Sequence, residues 1–164
     1  MKIGIVGLGF VGLSLTSVLA SKGLDVVGID VDKEKCNKIS KGISPFYEPN
    51  LEKTLKNGLR MKLEIRNDFS SIQNCDLIFV TVGTPQNKTG AIDLSIIKKA
   101  VESIGKSIRI SKKQHTILIK STVVPGTMKN VILPILEKYS KKKAGKDFGL
   151  ISNPEFLQES TAIK

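Results

Sequence analysis

The sequence predicts an α/β domain built on a doubly wound parallel sheet, and three observations carry that reading. Short apolar runs rich in valine and isoleucine alternate with segments of helical spacing along all 164 residues. The runs DLIFVTV and HTILIK are apolar on successive positions, as strands covered on both faces must be. Glycine or proline marks most junctions between a run and a helix. Strands that alternate with helices return in one direction, through right-handed crossovers.

Each element follows in turn. KIGIV (2–6) is a short β-branched run bounded by glycine, the first and buried strand. Phe10 to Lys22 has helical spacing and stops at Gly23, a glycine placed for a C-terminal cap. DVVGID (25–30) is strand two, and Lys33 to Lys41 is a helix halted by Gly42. ISPFYEPN holds two prolines and must loop, and its Asn50 is placed to cap a short helix down to Gly58. KLEIR (62–66) alternates as strand three, and Asp68 is placed to cap a helical turn through Ile72. DLIFVTV (76–82) is strand four, followed by a helix from Leu94 to Ile108 and by HTILIK (115–120) as strand five. Thr127 to Tyr139 is a helix that Pro134 either kinks or splits, and DFGLIS (147–152) is strand six.

Composition narrows the function classes. The chain is 40% hydrophobic and 25% charged, an ordinary soluble balance, and its length suits one domain over residues 1–164. No apolar stretch reaches the length of a membrane span. Met1 to Ala20 has the outline of a signal peptide, but Gly4, Gly7, Gly9 and Gly12 divide it into strand, turn and helix. Cys36 and Cys75 form neither a disulfide framework nor a metal spacing, which fits free thiols in a reducing cytoplasm. His115 opens an apolar run and reads as structural. The net charge of +11 comes almost wholly from lysines spread along the chain, with only Lys141 to Lys143 in a run. Aromatic residues are scarce and not interleaved with them, so nucleic-acid binding is disfavoured and a solvated lysine surface preferred.

"IVGLGFVG" places Gly7, Gly9 and Gly12 as G-x-G-x-x-G between strand one and helix one. The first glycine permits the tight turn, the second lets backbone approach a pyrophosphate, and the third lets helix and strand pack closely. The open helix N-terminus favours an anion. Asp30, ending strand two, is placed to accept hydrogen bonds from an adenosine ribose and to repel a 2′-phosphate, which favours NAD over NADP. The plainer role for Asp30 is to cap the next helix, VDKEK, and Lys35 nearby would tolerate a phosphate. The combination defines a Rossmann-type dinucleotide-binding domain. Ligands of such sheets lie beyond the carboxyl ends of the strands, here the loops VGTPQ (82–86), STVVPGT (121–127) and SNPEFLQES (152–160).

The segments GLGFVG, GID, SPFYEP, TVGTP, KSTVVPGT and NPEFLQES, in that order, cover nearly the whole chain. Together they make it resemble the UDP-glucose/GDP-mannose 6-dehydrogenases, in their amino-terminal NAD-binding part. The resemblance implies two NAD-dependent oxidations that turn a sugar C6 alcohol into a carboxylate through a cysteine thioester. It implies that Gly7, Leu8, Gly9, Phe10, Val11, Gly12 and Asp30 hold the NAD diphosphate and ribose, with Lys35 beside them. Val82, Gly83, Thr84 and Pro85 would flank the cofactor together with Ser121 and Thr122, and Thr122 would also position a water or the sugar hydroxyl. Glu155 would activate water for thioester hydrolysis. Glu155, Phe156, Leu157, Gln158 and Glu159 would line the sugar site, with Glu159 also near the nicotinamide.

In that family the catalytic cysteine, an assisting lysine and most of the nucleotide-sugar pocket come from later segments. Neither Cys36 nor Cys75 takes the nucleophile's place. The 164 residues alone are therefore expected to bind NAD without turnover. UDP-glucose is the first expected substrate, with GDP-mannose close behind and UDP-N-acetylhexosamines as a further alternative. The resemblance implies a homodimer for the complete enzyme and allows a monomer for these residues alone. A regulatory NAD-sensing module is the rival from another class, and Glu155 within NPEF argues against it, since a sensor needs no such carboxylate.

Overall fold

The computed structural model describes residues 1–87 and 90–163. Six parallel strands form one sheet: β1 (Lys2–Val6), β2 (Asp25–Ile29), β3 (Leu63–Arg66), β4 (Leu77–Val80), β5 (His115–Ile119) and β6 (Phe148–Ser152). Their spatial order is β3-β2-β1-β4-β5-β6. The chain thus winds outward from β1, then returns to the centre and winds the other way from β4. The switch between β1 and β4 opens a crevice at the carboxyl ends of the strands, where such sheets bind ligands.

Helices α1 (Phe10–Ser21), α2 (Lys33–Ser40), α3 (Leu51–Arg60), α4 (Ser95–Arg109) and α5 (Leu133–Ser140) complete the layers. On one face, Ile78, Val80, Ile117 and Ile119 pack with Ile97, Val101 and Ile104 of α4 and Leu136 of α5. On the other, Ile3, Ile5 and Val26 pack with Leu13 of α1 and with Leu51 and Leu55 of α3. Most of these side chains are wholly buried, and each such aliphatic chain contributes roughly 1.5–3 kcal/mol of transfer free energy. Two full cores explain why the central strands need apolar residues at every position.

One local expectation changes, and one open alternative is decided. Asn50 does not cap α3 with its side chain, because its backbone is left-handed at φ 63°. That conformation lets the loop reverse just before the helix, and asparagine tolerates it better than most residues. The 127–139 segment is split: a wide π-turn over Met128–Ile132 precedes α5, with Pro134 in the first turn of α5. Proline lacks the N–H of a continuing ladder and clashes with the carbonyl four residues back, and the widened turn relieves both.

His115 is wholly buried, as expected of a structural residue. Its Nδ1 lies 2.6 Å from the Cys75 carbonyl oxygen, so the proton sits there, and Nε2 has no partner among the described residues. Burial pushes its pKa below the ordinary value, outweighing the Cys75 carbonyl. The unfolded chain therefore takes up a proton near pH 6.5 that the folded chain refuses. Stability should fall as pH drops from 7 toward the depressed folded value. Urea denaturation at pH 7 and pH 5.5 checks this, and His115→Phe should flatten the difference, since His115 is the only histidine.

Candidate active site

The glycine turn is built as its spacing requires. Gly7 has φ +98°, and its N–H donates to the Ile29 carbonyl at 2.8 Å, tying the turn to β2. A Cβ on Gly12 would lie 1.8 Å from the Gly7 carbonyl oxygen, so α1 rests directly on the turn. Over Gly9, by contrast, a Cβ would meet no atom within 4 Å. Gly9 precedes α1 without a side-chain cap, and the first helical bond runs from Leu13 N–H to the Gly9 carbonyl. The N–H groups at the start of α1 thus open onto free space, the arrangement that binds a diphosphate.

Asp30 is buried at the end of β2 and is fully engaged. Its Oδ2 accepts from the Leu8 N–H at 2.8 Å and from Lys35 Nζ at 2.9 Å, and its Oδ1 accepts from the Asp32 N–H at 3.1 Å. Burial works against its charge, but Lys35 and the Asp32 and Leu8 N–H groups outweigh it, holding its carboxyl below the ordinary range. The capping role falls to Asp32, which accepts from the Lys35 N–H at the start of α2. Asp30 instead lines the crevice. The Leu8 side chain, in turn, lies in the core, and its N–H goes to Asp30 rather than to a ligand.

Two hollows meet over the turn. One, of about 280 Å³, is lined by Gly7, Asp30, Lys35, Phe69, Ile96 and Ala100 among others. The other, of about 290 Å³, is lined by Phe10, Val11, Thr84, Ser121, Thr122, Lys120 and Glu155. Gly9, Thr81, Val82 and Gly83 belong to both, so the two make one trough across the N-terminus of α1. A larger hollow of about 540 Å³ follows the Ser44–Lys53 loop and shares no lining residue with either half of the trough.

The far half is held by short cross-links between loops. Thr84 Oγ1 donates to the Thr122 carbonyl at 2.8 Å, and Ser121 Oγ to the Val82 carbonyl at 2.6 Å. Glu155 reaches this half from beyond β6. Its Oε1 accepts from the N–H groups of Phe156, at 2.7 Å, and Leu157, while its Oε2 lies 3.1 Å from Lys120 Nζ. Burial raises its pKa, but the Leu157 N–H, Lys120 and the Phe156 N–H prevail, leaving it below the ordinary carboxylate range.

The trough brings together most residues expected from the sequence, but not all. Pro85 is exposed and lines neither half. Phe156, at 91% exposure, Leu157, Gln158 and Glu159 stand on the open surface beside Glu155 and also line neither half. Sequence reasoning missed several contributors. Phe69 and Ile96 form an apolar wall beside Asp30, with Val31, 77% exposed, at its rim. Thr81 braces the turn by donating to the Gly7 carbonyl at 2.7 Å. Glu48 clamps the segment after Glu155 from below: its buried carboxylate accepts from the Ser160 N–H at 2.7 Å and the Ala162 N–H at 3.0 Å. Beside it, Phe46 packs on Phe10 with ring centroids 5.6 Å apart.

The cysteines lie elsewhere. Cys36 Sγ sits 3.3 Å from the carbonyl oxygens of Asp30 and Arg66, and burial pushes its thiol up. Cys75 is buried at the foot of β4, its pKa pushed up to about 11 by burial. Neither is a thiolate at neutral pH, and neither lines the trough. Among the described residues, no helix is long and apolar enough to cross a membrane, and no His, Cys, Asp and Glu cluster forms a metal site.

A six-stranded doubly wound sheet, a glycine turn under an open helix end and a buried aspartate at the end of β2 define a dinucleotide-binding domain. Residues 1–164 match the model of the UDP-glucose/GDP-mannose dehydrogenase family, NAD-binding domain. The chain belongs to that family and is its NAD-binding domain. It is 48% identical to GDP-mannose 6-dehydrogenase of Pseudomonas syringae pv. tomato, over 100% of this chain and 38% of that protein. It is 34% identical to UDP-glucose 6-dehydrogenase of Haloferax volcanii, over 99% of this chain and 38% of that protein. A solved ternary complex of GDP-mannose dehydrogenase from Pseudomonas aeruginosa matches with a TM-score of 0.96 and 44% identity, covering 99% of this chain and 38% of that one. The chain thus spans well under half the length of these relatives.

Proposed function

We propose that this chain is the cofactor half of a nucleotide-sugar 6-dehydrogenase acting on GDP-mannose. NAD would lie along the trough, its adenosine against Phe69 and Ile96, its ribose on Asp30 and its diphosphate at the N-terminus of α1. The nicotinamide end would then reach Ser121, Thr122 and Glu155. The observation that carries this reading is the continuity of the trough from Asp30 to Glu155 across Gly9. The bound cofactor would supply a hydride acceptor for the sugar C6. Thr122 would orient the C6 hydroxyl or a water through its Oγ1, and Glu155 would accept the water's proton. The carboxylate at the nicotinamide end also separates this reading from a sensor, which needs none.

Relative identity favours the GDP-mannose branch over UDP-glucose, the first choice from sequence. Six relatives named for GDP-mannose match at 42–48%, and two named for UDP-glucose at 34% and 38%. Both buried thiols are unfit as nucleophiles, so the 164 residues should bind NAD but not turn over. Calorimetric titration of the chain with NAD and NADP tests the first part, with one saturable NAD site expected. Absence of NAD binding defeats the proposal. Steady NADH formation from GDP-mannose by the same chain would defeat the division of the site.

A further inference from the structure

One ion pair in the far half of the trough has no role in the functional reading above. Lys120 is the first residue beyond β5, and its N–H donates to the Val80 carbonyl at 2.9 Å, fixing its backbone between β4 and β5. Its Nζ lies 3.1 Å from Glu155 Oε2 and donates to Asn153 Oδ1, also at 3.1 Å. Asn153 is itself anchored, its N–H donating to the Ile119 carbonyl at 2.9 Å. Lys120 and Glu155 side chains are each only 15% exposed.

The two carboxylate oxygens of Glu155 are treated differently. Oε1 is fixed by two N–H groups of its own segment. Oε2 is buried and makes no aligned hydrogen bond, although the ammonium stands 3.1 Å away. Its charge is compensated by that ammonium, and both side chains line the same hollow. No other charged side chain shares that hollow among the described residues: α1 contributes Phe10 and Val11, the loop after β4 contributes Thr81 to Thr84, and Glu159 is exposed outside it. The pairing across 35 residues is therefore the one contact Glu155 makes with a charged side chain among the described residues.

We propose that Lys120 is the positioning residue for Glu155: its ammonium turns the carboxylate into the nicotinamide-side hollow and holds it there as an anion that accepts protons. The proposal rests on the reading of Glu155 as the acid/base of the site. It adds a direction. A carboxylate beside a fixed ammonium in a half-buried site stays ionised, so it stands available as an acceptor, releases a captured proton readily, and is unsuited to enter the cycle as a donor. The depressed pKa of Glu155 agrees with that geometry.

The test is a carbon-13 NMR titration of the Glu155 carboxyl in the cofactor-free 164-residue chain, assigned with Glu155→Gln. The parent should titrate below the ordinary glutamate range, Lys120→Met should move the midpoint up, and Lys120→Arg should restore it. A midpoint unchanged in a folded Lys120→Met chain overturns the proposal. Should Lys120→Met fail to fold, the nitrogen-15 shift of the Lys120 ammonium in parent and Glu155→Gln decides. A moved resonance supports the pair, and an unmoved one overturns it. Because cofactor is absent throughout, loss of the NAD reading would appear in the calorimetry and leave this result standing.

Discussion

Gly12→Ala is expected to break the turn itself, whereas Gly9→Ala is expected to remove the cofactor and leave the fold. The two glycines stand three residues apart in one motif, yet their surroundings are opposite. A methyl at Gly12 would sit 1.8 Å from the Gly7 carbonyl oxygen and 2.6 Å from Thr81 Oγ1. Those neighbours are a backbone atom and the hydroxyl that braces it, so relief means lifting α1 from β1 and releasing the Gly7 contact. Overpacking of this kind costs about 1–3 kcal/mol, and more where backbone must move. A methyl at Gly9 meets nothing within 4 Å and would enter the space proposed for the diphosphate. Its stability should stay within about 1 kcal/mol of the parent, as for exchanges at a helix N-cap. NAD affinity should drop at least tenfold in both. Urea denaturation paired with NAD titration separates the cases, and a Gly12→Ala chain as stable as its parent would refute the packing argument.

Asp30→Ala is expected to weaken NAD by about 10–100-fold, the consequence of losing charged hydrogen bonds of roughly 1.5–3 kcal/mol. Two losses combine there. The ribose would lose its acceptor, and the Leu8 N–H would lose the oxygen that pins the turn. Lys35, freed from its 2.9 Å partner, would be left as a cation at the ribose end of the trough. NADP should therefore lose less than NAD, narrowing the preference. An unchanged ratio of the two affinities would remove Asp30 from the ribose site.

What the sequence made legible was what is local. The glycine turn and Asp30 announce themselves because each sits at a strand end, and strand ends follow from runs of valine and isoleucine. The competing role for Asp30 was settled by Asp32, two residues on, whose side chain caps α2. Contacts made through space were not legible. Phe69 and Ile96 are ordinary apolar residues until the sheet places them beside Asp30. Thr81 reads as one more strand residue, but its hydroxyl meets a carbonyl 74 residues away. Lys120 was visible as a lysine ending an apolar run, a signal without a partner until β6 brings Glu155 alongside. The effect of Pro134 was legible as a break but not as a kind of break, since either a kink or a π-turn satisfies the same missing N–H.

The clamp made by Glu48 bears on where this folding unit can be cut. A boundary drawn by secondary structure alone would fall after β6, at Ser152. Yet the ribbon beyond it is stitched back across 112 and 114 positions to a loop near the start of the chain, and Ile163 is buried beside α1 and α3. Trimming there would strand a buried carboxylate with neither of its N–H partners and open a void where Ile163 packs, a defect of several kcal/mol. The packed unit therefore extends at least through Ile163. Any transplant of this domain onto another catalytic partner has to carry that ribbon along, with Glu155 and the loop that holds it.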